Sequence, residues 1–349
     1  MRLRRALAPA AAALIALAAP AALGAFAASP GAAAASSAAP ARATTTPAAS
    51  APAPCGAPAA EVLATTAGSV AERIYAAEVR SSETDSDKRQ IEGYGPLLSA
   101  VQSGDHAAIQ TAVHHLVYSH THIVRLRVSR GSELLFDEGG PYILAPIAGR
   151  LRLHGKEVGH FVFSVQDDLG YIKLVTRFIG APLVLRTDAG QVPLEGLLSP
   201  GPASIPDHGP VSYRGASYEA YSFNVEAYPS GRLRVSLLLP ISASLQASTC
   251  EQIKTQELGV IAQRISRRFK LSRSTFASYT KLVHTMTHGL VYVRSGARTV
   301  AGSSRDAPAA LPGSGALRFH GVEYEVTSFA APASGGAVRV HLLVPLKPR

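Results

Sequence analysis

The chain has 349 residues, of which 47% are hydrophobic and 17% charged, and its formal net charge is +10. That length and apolar content exclude a wholly disordered or fibrous protein and allow one to three buried cores. Arg2, Arg4 and Arg5 supply part of the excess, and the other arginines are scattered rather than clustered, which disfavours a nucleic-acid-binding protein.

Basic residues from Met1 to Arg5 are followed by an apolar run, Ala6 to Ala28, that ends in Ala25-Phe26-Ala27. This is the anatomy of a secretory signal peptide over residues 1–27. The alternative is a retained anchor, against which Pro9, Pro20 and the small-residue ending weigh. Residues 28–54 are almost entirely Ala, Pro, Ser and Thr and read as a disordered tether. The expected location is extracytoplasmic, secreted or associated with the cell envelope. No later apolar run is long enough to span a bilayer, since Leu233 to Pro240 and Val340 to Leu346 are strand-length. Cys55 and Cys250 are the two cysteines, and in an oxidising compartment they are expected to form a disulfide.

Val62, Thr66, Val70, Ile74 and Ala77 form a helical stripe, and Leu258, Ile261, Ile265 and Phe269 form another. The strings Val70-Ala-Glu-Arg-Ile74 and Ile261-Ala-Gln-Arg-Ile265 match, so the disulfide would join two equivalent helix starts. Asp105 is expected to cap a helix through Ile109, Val113 and Leu116. Asp167 or Asp168 is expected to cap one that buries Tyr171, Leu174, Val175 and Phe178 and ends at Gly180.

Between these helices lies a repeat. Gly209, Gly215, Tyr218, Glu219, Ser222 and Phe223 recur as Gly315, Gly321, Tyr324, Glu325, Ser328 and Phe329, at a constant offset of 106 residues. The match resumes at Arg234 to Pro240 against Arg339 to Pro345. A looser third copy runs from Gly149 through Gly155 to Val165. Apolar residues alternate on both sides of His154-Gly155, Arg214-Gly215 and His320-Gly321, which predicts hairpins with tight turns. Strands are expected upstream of each: Ile123 to Val128 and Leu134 to Phe136, Leu183 to Arg186, and Leu290 to Arg294. The fold class expected is α+β, with antiparallel sheet modules and long N-terminal helices used up to three times. The organisation expected after the tether is 55–181, a first module; 182–245, a second β unit; and 246–349, a helix with a third β unit.

The helix-then-strand order, with Gly139-Gly-Pro-Tyr-Ile-Leu-Ala-Pro-Ile147, Gly149 to Gly155 and Val158-Gly-His-Phe-Val-Phe-Ser-Val-Gln-Asp-Asp168, resembles the Cache family of PAS-like extracytoplasmic sensor domains, most clearly over Cys55 to Arg186. The resemblance implies a small ligand, such as an amino acid or another carboxylate, held on the sheet under its loops. Ligand-binding residues would be Arg125, Arg127, Tyr142, Gln166, Asp167, Tyr171 and Lys173. Arg125 and Arg127 share one strand face and can grip a carboxylate, or they form a solvated face. Tyr142 can donate its hydroxyl or simply pack. Asp167 and Asp168 can hold an ammonium or cap a helix.

His114, His115, His120 and His122 are the densest histidine cluster, but no acidic or cysteine ligands accompany them, so no metal site is expected. No zincin, nucleophile-elbow, Walker or dinucleotide motif is present, so neither an enzyme nor a cofactor is expected. The function expected is an exported, Cache-like small-ligand sensor without a signalling domain of its own. The alternative is a cell-envelope scaffold built from PAS-like units and meeting an envelope protein partner.

Overall fold

The computed structural model describes residues 53–119, 122–140, 143–165, 168–187, 190–191, 201–228, 231–242 and 247–346. The expected leader, nearly all of the tether, and Tyr142, Gln166 and Asp167 lie outside the described residues. No described helix is long and apolar enough to cross a membrane.

The chain begins with α1 (Ala59–Val79), α2 (Ser82–Gly93), α3 (Gly95–Ser103) and α4 (His106–Ser119). Asp105 caps α4, accepting the Ala108 N–H through Oδ1 at 3.0 Å. The first sheet follows, built from β1 (Arg125–Arg130), β2 (Glu133–Gly139), β4 (Ile147–Leu153) and β5 (Lys156–Ser164), with the short β3 (Ile143–Leu144) outside it. Its order is β2-β1-β5-β4, all antiparallel. Leu126, Val128, Phe161 and Phe163 alternate onto one face and meet Ile91, Leu97, Ile109 and Leu116 of α2, α3 and α4 in a closed core.

After α5 (Asp168–Phe178) come β6 (Leu183–Thr187), β7 (Gly190–Gln191), β8 (His208–Tyr213), β9 (Ala216–Val225), β10 (Ala227–Tyr228) and β11 (Leu233–Pro240). The long α6 (Cys250–Phe269) opens the last part, with α7 (Phe276–Thr287), β12 (Leu290–Ser295), β13 (Arg298–Gly302), β14 (Ser314–Phe319), β15 (Val322–Ala331) and β16 (Val338–Pro345). The second sheet is ordered β7-β6-β11-β9-β8 and the third β13-β12-β16-β15-β14, the same topology strand for strand. The fold is therefore the α+β architecture expected from the repeats.

Both residues of each hairpin turn have positive φ: 51° and 80° at His154-Gly155, 50° and 78° at Arg214-Gly215, 49° and 76° at His320-Gly321. That is the twist-matching two-residue turn the sequence predicts. The Gly155 hairpin is nevertheless not equivalent to the other two. It joins β4 to β5, which lies beside β1, whereas the Gly215 and Gly321 hairpins have β11 or β16 between them and the first strand. The apolar runs at Leu233 and Val340 become those intervening strands, buried on both faces: Val235 and Leu237 face the helices and Leu238 faces away, as Val340, Leu342 and Leu343 do in turn.

The helices α1, α5, α6 and α7 close one core against the second and third sheets. Equivalent contacts recur in the two halves. Tyr171 of α5 donates its hydroxyl to the Ala71 carbonyl at 3.0 Å, and Tyr279 of α7 donates to Ala262 at 3.1 Å. A Cβ on Gly68 of α1 would overlap the Tyr221 ring on β9, and one on Gly259 of α6 would lie 2.7 Å from the Thr327 methyl on β15. Gly68 and Gly259 each stand two residues before the matched helix strings, and Tyr221 and Thr327 occupy the same place in the repeat. Cys55, immediately before α1, is bonded to Cys250 at the start of α6, with Cα atoms 4.8 Å apart. Thr249 and Gln252 complete a reciprocal capping box there.

Candidate ligand-binding cleft

Arg125 and Arg127 share the face of β1 turned away from its helices. Arg125 donates through Nε and Nη2 to both carboxylate oxygens of Asp137 at 2.7 Å, and through Nη1 to the Gly140 carbonyl at 3.1 Å. Nη1 of Arg127 lies 3.8 Å from the same carboxylate. Tyr171 is not beside them: it is fully buried under α1 and T-stacked on Tyr75. Lys173 is exposed on α5. The described members of the expected site therefore fall in two places. Among the histidines, Nδ1 of His114 is 2.9 Å from Glu138 and His115 stacks on Tyr94. No group of three metal-ligating side chains occurs among the described residues.

A cleft of about 830 Å³ opens instead between α1, the start of α6, the end of α7 and the third sheet. The sequence of this third unit has no counterpart of the Gln166-to-Asp168 segment and does not mark it as a site. Its apolar wall is made by Leu258, Leu290, Tyr324 and Val344. Its polar wall brings together Arg73, Lys254, His284 and His288, with Glu61 as the one lining carboxylate. Thr65, Thr66, Ser69 and Thr287 add hydroxyls.

Each group is held by its element. Arg73 is half-buried, and Nη1 donates to the Met286 carbonyl at the end of α7 at 2.6 Å. Burial lowers its pKa, with Glu72 opposing; the Glu72 carboxylate accepts the Tyr221 hydroxyl at 2.8 Å. Among the described residues no carboxylate lies within ion-pair distance of Arg73. His284 pairs through Nδ1 with the Gly289 carbonyl at 2.8 Å, so Nδ1 carries the proton and Nε2 is left toward other partners. His288 ends α7 in the left-handed conformation, with φ of 56°. Desolvation, then Arg73 and His284, hold its pKa below the ordinary imidazole value. Sequence reasoning missed Arg73 although it stands inside the repeated string, because the string was read for its apolar positions alone.

No described protein family matches the chain, and no curated protein does. Among solved structures it is similar to the ligand-binding domain of the Pseudomonas fluorescens chemoreceptor CtaA in complex with L-alanine, at 11% identity and a TM-score of 0.28, covering 49% of this chain and 92% of that one. The ligand-binding domain of the Pseudomonas aeruginosa amino acid chemoreceptor PctC, in complex with GABA, aligns at 17% identity and a TM-score of 0.23, covering 44% and 92%. The periplasmic domain of Vibrio cholerae LuxQ aligns at 7% and 0.17, covering 82% and 98%.

Proposed function

We propose that this chain is an exported protein of the sensor kind that binds a small ligand in the cleft between α1, α6, α7 and the third sheet. The observation that carries the reading is the cleft itself: a concave apolar wall facing several convergent polar groups is the usual form of a small-molecule site. An extracytoplasmic location is supported by the Cys55–Cys250 disulfide together with the leader-like first 27 residues. The Arg125 and Arg127 face of the first sheet is the competing location that the sequence favours.

The test is a thermal-shift screen of the purified chain against amino acids, GABA, organic acids, their amides and purines. A ligand of this site raises the midpoint in proportion to the logarithm of its concentration once above its Kd. Arg73→Ala is expected to abolish that response and Arg125→Ala to leave it. The reverse pattern moves the site to the first sheet. A flat response across the panel overturns the reading in favour of an envelope scaffold.

A further inference from the structure

We infer that the cleft is a site for an organic carboxylate with an apolar body, held by Arg73 at only one of the two equivalent places that the duplication creates. The inference rests on the reading of the cleft as a ligand site and names its ligand class.

The internal duplication supplies a control. Arg73 and Arg264 are equivalent, at position four of the matched strings Val70 to Ile74 and Ile261 to Ile265. Each reaches across to the end of the other half's short helix: Arg73 to the Met286 carbonyl, Arg264 to the Ile179 carbonyl. The surroundings then differ at two equivalent positions.

The first is one helical face below the arginine, seven residues earlier. There α6 carries Glu257, whose carboxyl is pushed up by burial and pulled back by the charge of Arg264. In α1 the same position is Thr66, whose hydroxyl is turned to the Val62 carbonyl at 2.7 Å. Thus Arg264 has a carboxylate at this place on its own helix face, whereas Arg73 has there a hydroxyl committed elsewhere, and the carboxylate whose charge does act on Arg73, Glu72, is engaged by the Tyr221 hydroxyl. Arg73 keeps four of its five N–H groups unengaged among the described residues. A planar fork of donors in a half-buried site is matched by a carboxylate.

The second is the residue that ends the short helix. After α5 it is Gly180, and the Arg264 guanidinium packs flush on it: an added Cβ would lie 2.5 Å from Cζ. After α7 it is His288, a left-handed position that glycine fills without strain and a side chain does not. His288 denies Arg73 the same close packing and adds an imidazole to the cleft. Lys254 and His284 add further positive or titratable nitrogen, while Leu258, Leu290 and Val344 offer an apolar body its wall.

The probes are acetate, hexanoate and phenylacetate, each against its neutral amide, in thermal shift and isothermal titration calorimetry on the full chain. The acids with apolar bodies are expected to bind and their amides to bind at least tenfold more weakly. Thr66→Glu, which installs the carboxylate that the other half already has, is expected to abolish the response. Arg73→Gln is expected to do the same. His288→Gly is expected to keep or raise the ligand-free midpoint while weakening hexanoate several-fold at pH 5.5, and to matter less at pH 8. The charged and titratable groups around His288 are Arg73 and Glu61 from α1, with Glu72 beside Arg73, Lys254 from α6, His284 from α7 and Tyr324 from β15. If amides bind as well as acids, or Thr66→Glu still responds, the carboxylate inference is wrong while the cleft remains a ligand site. If acids, amides and the wider panel all leave the midpoint unmoved, both readings fall.

Discussion

At the scale of single residues, the two glycines under α1 and α6 differ in what they face. Gly68→Ala drives a methyl into the Tyr221 ring, which is packed on β9 and tied to Glu72. We expect a loss of about 1–3 kcal/mol, read from the urea midpoint, the ordinary cost of overpacking. Gly259→Ala meets the smaller Thr327 side chain, its methyl first, and is expected to cost less. Two tyrosines, the buried Tyr75 and the half-buried Tyr221, give a pH signature. Burial pushes the phenols of Tyr75 and Tyr221 up to about 12, well above the ordinary value near 10. The unfolded chain therefore loses those protons first, so their contribution is intact below about pH 10 and drains away as pH rises toward about 12. Chemical denaturation from pH 8 to 12 is expected to show a falling midpoint from pH 10 upward, and Tyr75→Phe is expected to flatten it. An unchanged slope in that variant would mean that other groups carry the alkaline loss.

Among elements, the decisive pairing is α1 with α6, and the disulfide sits where it constrains that pair most. The bond joins residues 195 apart in sequence. Closing such a loop stabilises by about 2–5 kcal/mol, at the upper end in the chain-entropy model. The Cys55→Ser/Cys250→Ser variant is expected to unfold at a lower urea concentration, and added reductant is expected to lower the parent to the same midpoint while leaving the variant alone. The sequence revealed these elements unequally. The hairpins were legible because a two-residue turn with positive φ is a local event, written in His154-Gly155, Arg214-Gly215 and His320-Gly321. Helix α4 was legible through Asp105. The helices α2, α3 and α7 escaped notice, since α2 is polar over most of its length and shows only Thr84, Asp87 and Ile91 to the core. The site was least legible: Arg73, Lys254 and His288 come from α1, α6 and the end of α7, and only the packing of α1 against α6 and α7 gathers them. Arg125 and Arg127 did share a face, as period two requires, but a sequence does not show that Asp137 on the neighbouring strand lies opposite them.

For the whole molecule, two large cores are separate. One lies under α2, α3 and α4 on the first sheet, built wholly from residues between Ile91 and Phe163; the other joins α1, α5, α6 and α7 to both later sheets. The first sheet with its three helices is thus an excursion of the chain between α1 and α5. Its ties to the second core are narrow: β3 pairs with β10, and the Tyr75 hydroxyl accepts the Ala145 N–H at 2.6 Å while donating to the Glu226 carbonyl. The second and third sheets, in contrast, share side chains throughout one core and have no surface along which to part. Cooperative units follow contiguous buried packing, so calorimetry is expected to show two transitions rather than one or three. Leu126→Ala, which opens a cavity in the first core and costs about 2–5 kcal/mol, is expected to lower one transition alone. Cys55→Ser/Cys250→Ser is expected to lower only the other, and a carboxylate bound beside Arg73 to raise that same one. A single transition moved by all three would mean that the β3–β10 ribbon and the Tyr75 bonds couple the cores more strongly than their separate packing implies.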